Sequence, residues 1–181
     1  MPDVRLLDHR GRSHGLYQDY GDHKAVVLFY GGNGCPIVRQ SLPALKELRS
    51  EYEPRGVGFL LVNANPQDLR EEIAEEAEAF EVNMPVLIDR SHVFTRGLGV
   101  NRTATAILVD AADWEVVYQG ALDDRFGYGT ARGEADETWL KDAIDAFLAG
   151  TPVSPAATEV KGCLVDVAVP PENISYAEDI A

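Results

Sequence analysis

The sequence predicts an α/β protein with a mixed central sheet. Short apolar runs of strand character alternate with segments whose apolar residues recur at helical spacing, an order typical of parallel strands joined by crossover helices. Two later runs flank a short polar turn, so an antiparallel hairpin should join the same sheet. With 181 residues, 45% of them hydrophobic, the chain is long and apolar enough to fold around a sizeable core.

Five apolar runs rich in β-branched and aromatic residues predict the strands. They cover residues 25–30, 57–63, 85–88, 105–109 and 115–119. The first run is apolar throughout and should be buried on both faces. The last two runs flank residues 110–113 and should pair as the hairpin. Residues 4–16 resemble a small extra hairpin at the N-terminus.

Apolar residues at helical spacing predict the helices, which cover residues 37–52, 66–80, 92–97 and 139–148. Pro43 should kink the first helix. Asn65 should cap the second, with Pro66 as its first residue. Leu69 belongs to the predicted buried stripe of that helix. Its glutamates are expected to form a solvated acidic face; they are Glu71, Glu72, Glu75, Glu76 and Glu78.

Domain organisation and charge narrow the functional classes. Residues 1–150 are expected to form one domain, and residues 151–181 a C-terminal extension with a linker-like tail. The net charge of −14 argues against nucleic acid or an anionic membrane surface as a partner, since both attract basic clusters. No run of about 18 apolar residues predicts a membrane span. The first residues also lack the pattern of a signal peptide.

Cys35 is the strongest candidate for chemistry. It follows the first strand and a glycine-rich turn, and Pro36 suits the first turn of the next helix. A thiol there meets the free N–H groups and the positive end of the helix dipole, which favour the thiolate. Arg39 and Arg102 are further candidates for stabilising it. The alternative interpretation is that Cys35 is a small buried hydrophobic residue.

The residues around Cys35 resemble a known family. The segment FYGGNGCPIV, residues 29–38, with Pro43 after it, resembles the active-site segment of thioredoxin-like redoxins. It is most similar to the redoxin branch of the alkyl hydroperoxide reductase/thiol-specific antioxidant superfamily, and residues 120–129 are similar to a further motif of that branch. The resemblance covers residues 2–167. It implies a thioredoxin-like fold and a thiol-based oxidoreductase that uses Cys35 as nucleophile, in thiol–disulfide exchange or peroxide reduction.

Three positions depart from the family pattern. Val38 replaces the second cysteine of a Cys-x-x-Cys motif, so no disulfide can form within the motif. Gly32 stands where typical peroxiredoxins carry the Thr or Ser that binds peroxide, which favours exchange over peroxide reduction. Ala104 stands where the family has a cis-proline. A cis bond before a non-proline residue costs about 2.5–4 kcal/mol, so the bond before Ala104 should be trans.

The resemblance also implies the other site residues. Substrate binding is expected at Gly34, Pro36, Arg102, Thr103 and Ala104. Cys163 is the candidate resolving thiol for an oxidised Cys35, and its alternative is an isolated cysteine packed on a C-terminal strand. Sequence spacing leaves this choice open, because it does not measure the separation that a disulfide requires. No metal or other cofactor is expected, since the four histidines have no ligand spacing.

The expected partner is a protein thiol or disulfide, or a hydroperoxide. Residues 173–181 resemble the lead-in to the c-type haem domain that often follows redoxins of this branch, which implies a cytochrome c-type neighbour in a longer protein. The location would then be extracytoplasmic, periplasmic or exported, and otherwise cytoplasmic. The alternative function is a non-catalytic redoxin-fold module that docks beside electron-transfer domains.

Overall fold

The computed structural model describes residues 1, 3–127 and 130–167. Its strands are β1 (Arg5–Leu7), β2 (Ser13–Gly15), β3 (Ala25–Gly31), β4 (Val57–Asn63), β5 (Val86–Ile88), β6 (Ala106–Asp110), β7 (Val116–Gly120), β8 (Phe126–Gly127) and β9 (Thr130–Ala131). Its helices are α1 (Leu16–Tyr20), α2 (Pro36–Tyr52), α3 (Arg70–Ala79), α4 (Val93–Gly97) and α5 (Trp139–Leu148). A short 3-10 helix, Glu53–Arg55, follows α2.

The central sheet has five strands in the order β5-β4-β3-β6-β7. β3 pairs in parallel with β4, and β4 with β5, whereas β6 runs antiparallel to both β3 and β7. The mixed α/β architecture and the β6–β7 hairpin were both predicted and are confirmed. The N-terminal hairpin is confirmed as well, since β1 and β2 pair antiparallel.

Apolar residues of β3 alternate between two cores, one on each face of the sheet, because successive side chains point to opposite sides. Val27 and Phe29 pack in the core that α2, α3 and α5 cover. Val26 and Leu28 pack in the core that includes residues of α1 and α4. The sheet is therefore buried on both faces, which explains why the β3 sequence is apolar throughout.

The predicted start of the second main helix is wrong. α3 begins at Arg70, and residues 66–67 form a turn instead of the first helical residues. The Asn65 side chain donates from Nδ2 to the Asp68 carboxylate at 3.1 Å, so it stabilises the turn rather than a helix end. Glu72 accepts the N–H of Leu69 at 3.0 Å and takes the capping role. Leu69, expected on the buried face, is 50% exposed.

Candidate active site

Cys35 lies at the junction of β3 and α2, as the N-cap residue of that helix, with Pro36 at the first helical position. The Cys35 side chain is only 4% exposed and belongs to the core beneath α2. The glycine-rich loop before Cys35 predicts an uncovered sulfur, and that prediction is wrong for this structure. The physical reason is that residues distant in sequence lie against the thiol.

Cys163 is one of the residues that cover Cys35. Its Sγ lies 3.3 Å from Cys35 Sγ, although the two cysteines are 128 positions apart. Both cysteines are free thiols, and the Cys163 residue is exposed. A disulfide has an S–S distance of about 2.05 Å, so a movement of roughly 1 Å would allow these sulfurs to bond.

A short C-terminal strap, residues 161–165, holds Cys163 in this position by pairing with residues 101–104. Thr103 donates its N–H to the Cys163 carbonyl at 2.9 Å, and Arg102 and Leu164 form an antiparallel bridge. Val165 donates its N–H to the carbonyl of residue 101, also at 2.9 Å. These main-chain bonds fix the strap beside the active-site loop.

Thr103 contacts both cysteines. Its Oγ1 accepts the Cys163 N–H at 2.9 Å and lies 3.2 Å from Cys35 Sγ. Because the oxygen already accepts from the Cys163 amide, its own hydroxyl proton can be donated to the Cys35 sulfur. Arg102 adds a bond from its guanidinium to the Gly162 carbonyl at 2.8 Å. Arg102, predicted as a thiolate partner, thus contacts the strap backbone.

Two glycines permit this close packing. A Cβ at Gly162 would lie 1.7 Å from the Thr103 carbonyl oxygen, so no other residue fits there without moving the strap. A Cβ at Gly32 would lie 2.6 Å from Asn65 Nδ2 and 2.8 Å from Thr103 Cγ2. The position that carries a hydroxyl in typical peroxiredoxins is therefore too crowded for a side chain in this loop.

Ala104 adopts a left-handed conformation with φ +58°. Its N–H donates to the Tyr30 carbonyl at 2.7 Å. Proline has neither an N–H nor access to positive φ, so this loop conformation excludes the proline of the family pattern. The peptide bond before Ala104 is trans, as predicted, and the single cis bond in the described part of the chain precedes Pro155.

The electrostatics of the two thiols differ. Burial raises the pKa of Cys35, but the Thr103 hydroxyl, the first-turn N–H of Val38 and the Cys163 thiol outweigh it, so the net pKa lies below the ordinary value. The pKa of Cys163 is raised, first by its hydrogen bond to Cys35 and then by burial. The first proton lost from the pair therefore comes from Cys35, and the Cys163 thiol stabilises the resulting thiolate.

The loop that precedes Cys35 is held by acidic residues that sequence analysis did not identify as site residues. Gly34, which is exposed at φ +75°, donates its N–H to the Glu76 carboxylate at 3.0 Å. Asn33 donates its N–H to the Asp68 carboxylate at 2.9 Å. Glu76 is thus more than part of a solvated acidic face. No sequence signal identifies it, because its loop contact is 42 positions away.

Arg39 forms an ion pair with Glu76 at 2.8 Å. The guanidinium that sequence analysis predicted as a partner of the Cys35 thiolate is therefore already paired with a carboxylate. The Glu76 hydrogen bond raises the pKa of Arg39, and Cys35 adds a smaller contribution in the same direction. The Arg39 charge therefore acts on the loop and on Cys35 together. Its main partner is the carboxylate.

The second predicted motif lies beside the site, although Tyr128 and Gly129 fall outside the described residues. Asp123 and Arg125 form an ion pair at 2.7 Å within this segment. Ile37, Ala104 and Phe126 line one small groove next to it. The groove places apolar side chains next to the edge of the active site.

A metal centre is not evident in the described ranges, where no group of three or more His, Cys, Asp or Glu side chains could hold an ion. His92, one of the four histidines, contacts the carbonyl of Ala64 at 2.7 Å through Nε2. Within residues 1, 3–127 and 130–167, no helix is long and apolar enough to cross a membrane.

A mixed sheet with a cysteine at the β3–α2 junction defines a thioredoxin-like thiol protein. The family model described as Redoxin matches residues 1–132, so the chain belongs to the Redoxin family. The predicted family resemblance and thioredoxin-like fold are thereby confirmed.

The similar proteins agree with this assignment. A thiol-disulfide oxidoreductase ResA from Geobacillus thermodenitrificans (strain NG80-2) is 34% identical over 109 residues, 60% of this chain and 60% of the relative. This match thus covers less than two thirds of the relative's length. An uncharacterized conserved protein from Geobacillus kaustophilus has the same fold at TM-score 0.81 and 27% identity, over 95% of this chain and 91% of the other. An exposed lipoprotein thioredoxin from Streptococcus pneumoniae strain TIGR4 shares the fold alone, at TM-score 0.57 and 22% identity, over 82% and 99% of the two chains.

Proposed function

We propose that this chain is a thiol–disulfide oxidoreductase whose redox centre is the pair Cys35 and Cys163. The observation that carries the proposal is the 3.3 Å separation of the two sulfurs. The relatives named thiol-disulfide oxidoreductase support the reaction class. In this proposal, the strap supplies the second thiol that Val38 fails to supply within the motif.

The reaction is a two-electron exchange. The reduced pair gives two electrons and two protons to a partner disulfide, which becomes a dithiol, while a bond forms between Cys35 Sγ and Cys163 Sγ. The reverse direction consumes a partner dithiol and restores both thiols of the pair. The pKa of Cys35 is the lower of the two, so Cys35 is the thiolate of the reduced pair and Cys163 is its thiol.

Two features favour exchange with a protein over reduction of a hydroperoxide. Gly32 offers no hydroxyl to a peroxide, and a side chain there would collide with Asn65 and Thr103. Leu164, directly after Cys163, is 71% exposed, so a partner that reaches this sulfur also meets an apolar side chain. Apolar contact of this kind suits a protein surface better than a small peroxide.

The test is oxidation of the reduced protein by the disulfide-forming reagent diamide, followed by intact mass and alkylation over a range of pH. The expected result is loss of two hydrogens and of both alkylation sites in the wild type. Cys35→Ser and Cys163→Ser serve as matched variants that should not lose this mass. If both thiols of the diamide-treated wild type can still be alkylated, the result would contradict the proposal and favour a non-catalytic docking module.

The proposed setting is extracytoplasmic, because oxidising compartments are where disulfides form and persist. The proposed neighbour is a c-type cytochrome domain in the full-length protein. The segment that motivates this neighbour, residues 173–181, lies outside the described residues. Covalent haem in the purified full-length protein, detected by its absorption spectrum, is the expected result, and a full-length protein without haem would contradict it.

A further inference from the structure

The two sulfurs of the pair face very different surroundings. Cys35 is 4% exposed and packs among core residues that include Phe29, Val38 and Leu42. Cys163 is exposed and lies on a strap of main-chain bonds at the surface. A partner arriving from solvent therefore meets Cys163 first.

The geometry of thiol–disulfide exchange sharpens this difference. An attacking thiolate approaches a disulfide in line with the S–S bond, from the far side of the sulfur it attacks. Cys35 is buried among the side chains beneath α2, so an attacking thiolate from solvent has little access to its sulfur. Cys163 is exposed, so solvent access exists at that residue.

The hydrogen bonds around the pair act in the same direction. When the S–S bond breaks by attack at Cys163, the electron pair goes to Cys35. Thr103 Oγ1 lies 3.2 Å from Cys35 Sγ and is placed to donate to the thiolate that forms. The pKa of Cys35 lies below its ordinary value, and a thiol of lower pKa leaves faster in such an exchange.

We propose that Cys163, and not Cys35, is the sulfur that forms the mixed disulfide with the partner. The partner is a dithiol protein, and this inference rests on the proposed function. One partner thiolate attacks Cys163 Sγ, the Cys35–Cys163 bond breaks, and Cys35 leaves as a thiolate that takes up a proton from solvent. The second partner thiol then attacks the partner's own sulfur in the mixed disulfide. This step releases the Cys163 thiol and leaves the partner as a disulfide.

This assignment reverses the expectation that Cys35 meets the substrate directly. Cys35 becomes the internal member of the pair. In the direction that oxidises this protein, Cys163 gives up its proton to solvent and its thiolate attacks the partner disulfide, whose bond breaks and releases one partner sulfur as a thiolate that takes up a proton. The Cys35 thiolate then attacks Cys163 Sγ and expels the second partner sulfur, which also takes up a proton. Both directions pass through the same mixed disulfide at Cys163.

The test uses the wild-type protein oxidised with diamide and then freed of reagent. Reduced glutathione serves as the probe thiol, at several concentrations and short reaction times. The reaction is stopped with acid, free thiols are capped with N-ethylmaleimide after unfolding, and proteolytic peptides are analysed by mass. The expected result is at least about tenfold more glutathione on the Cys163 peptide than on the Cys35 peptide, with maleimide on Cys35.

Each other outcome is informative. Glutathione mainly on Cys35, or equally on both cysteines, would overturn this inference while the proposed function stands. A disulfide that glutathione does not open at any concentration would overturn the inference as well. If diamide produces no Cys35–Cys163 disulfide, the proposed function fails first, and this inference fails with it.

Discussion

Thr103 is the residue through which the two cysteines are coupled. A single hydroxyl contacts Cys35 Sγ and accepts the Cys163 N–H, while the Thr103 main-chain N–H contacts the Cys163 carbonyl. Position and reactivity of the pair therefore depend on the same side chain. The resemblance to redoxins predicts Thr103 as a substrate-binding residue, and this stays a prediction, whereas the contact of Thr103 with the Cys35 sulfur is a feature of the structure.

Replacing Thr103 with Val should slow alkylation of Cys35 about five- to tenfold at pH 7, because a hydrogen bond to a charged group is worth about 1.5 kcal/mol. The hydroxyl lowers the pKa of Cys35, so its loss raises that pKa and moves the pH profile of the rate to higher pH. The measurement is the iodoacetamide rate against pH in a Cys163→Ser background, where only Cys35 reacts.

Thr103→Ser is the matched control, since it retains the hydroxyl and removes only a methyl group. Its pH profile should remain close to that of the parent. A Val variant with an unshifted profile would mean that the hydroxyl does not stabilise the Cys35 thiolate.

At the level of elements, the proposed function gives the strap the task that a second motif cysteine has in the family pattern. Val38 is buried in the core where that cysteine would stand. By pairing with residues 101–104, the strap places Cys163 next to Cys35. The position of Cys163 beside Cys35 therefore depends on the pairing of the strap with residues 101–104. That pairing requires Gly162 to lie directly on Thr103.

Gly162→Ala should slow formation of the Cys35–Cys163 disulfide at least about tenfold. A Cβ at position 162 would lie 1.7 Å from the Thr103 carbonyl, so the strap must detach. Detachment of the strap would raise the activation free energy of disulfide formation by more than about 1.4 kcal/mol, which corresponds to a factor of ten in rate. The measurement is the rate of disulfide formation with limiting diamide, followed by mass.

Gly133→Ala is the control, because a Cβ at Gly133 meets nothing within 4 Å and the substitution should leave the rate unchanged. Equal rates for the two alanine variants would show that the strap tolerates displacement at Gly162. That result would remove the structural basis for a fixed redox pair.

At the scale of the whole molecule, the net charge of −14 sets the field that an approaching reagent meets. In a Cys35→Ser variant, Cys163 is the reactive cysteine. The ratio of the iodoacetate rate to the iodoacetamide rate should be several-fold lower on Cys163 than on free cysteine, because iodoacetate is anionic and iodoacetamide is neutral. Salt at about 1 M shortens the screening length to about 3 Å and should bring the two ratios together. The measurement is the alkylation rate of both reagents against salt concentration.

A matched comparison with free cysteine removes the intrinsic difference between the reagents. If the iodoacetate to iodoacetamide ratio on Cys163 equals that on free cysteine at low salt, the acidic surface does not act at this sulfur. The net charge would then give no reason to expect that Cys163 favours cationic over anionic reagents.

The sequence predicted the central sheet because burial on both faces produces a local pattern, as the uniformly apolar β3 illustrates. The same logic failed at Asn65, which has the chemistry of a helix cap. Its side chain instead contacts Asp68, and α3 begins only at Arg70. Competition between a turn and a helix end depends on side-chain contacts within that turn, which residue type alone does not decide.

The active site divides in the same way. Cys35 was identified from its place between a strand and a helix, a local property. Glu76 was missed because its contacts with Gly34 and Arg39 span 42 and 37 positions. The conformation of Ala104 was beyond sequence too, since its positive φ follows from the bond between its N–H and the Tyr30 carbonyl.

The sequence by itself determined the mixed α/β sheet, the redoxin resemblance and the candidacy of Cys35, because each leaves its mark within a short stretch of chain. Only the tertiary structure decided that Cys35 is covered and that Cys163 lies 3.3 Å from it. The strap pairs with residues 101–103, about 60 positions away, through main-chain hydrogen bonds, which any sequence can form. Such pairing leaves little trace in residue type, apart from a glycine where two backbones meet.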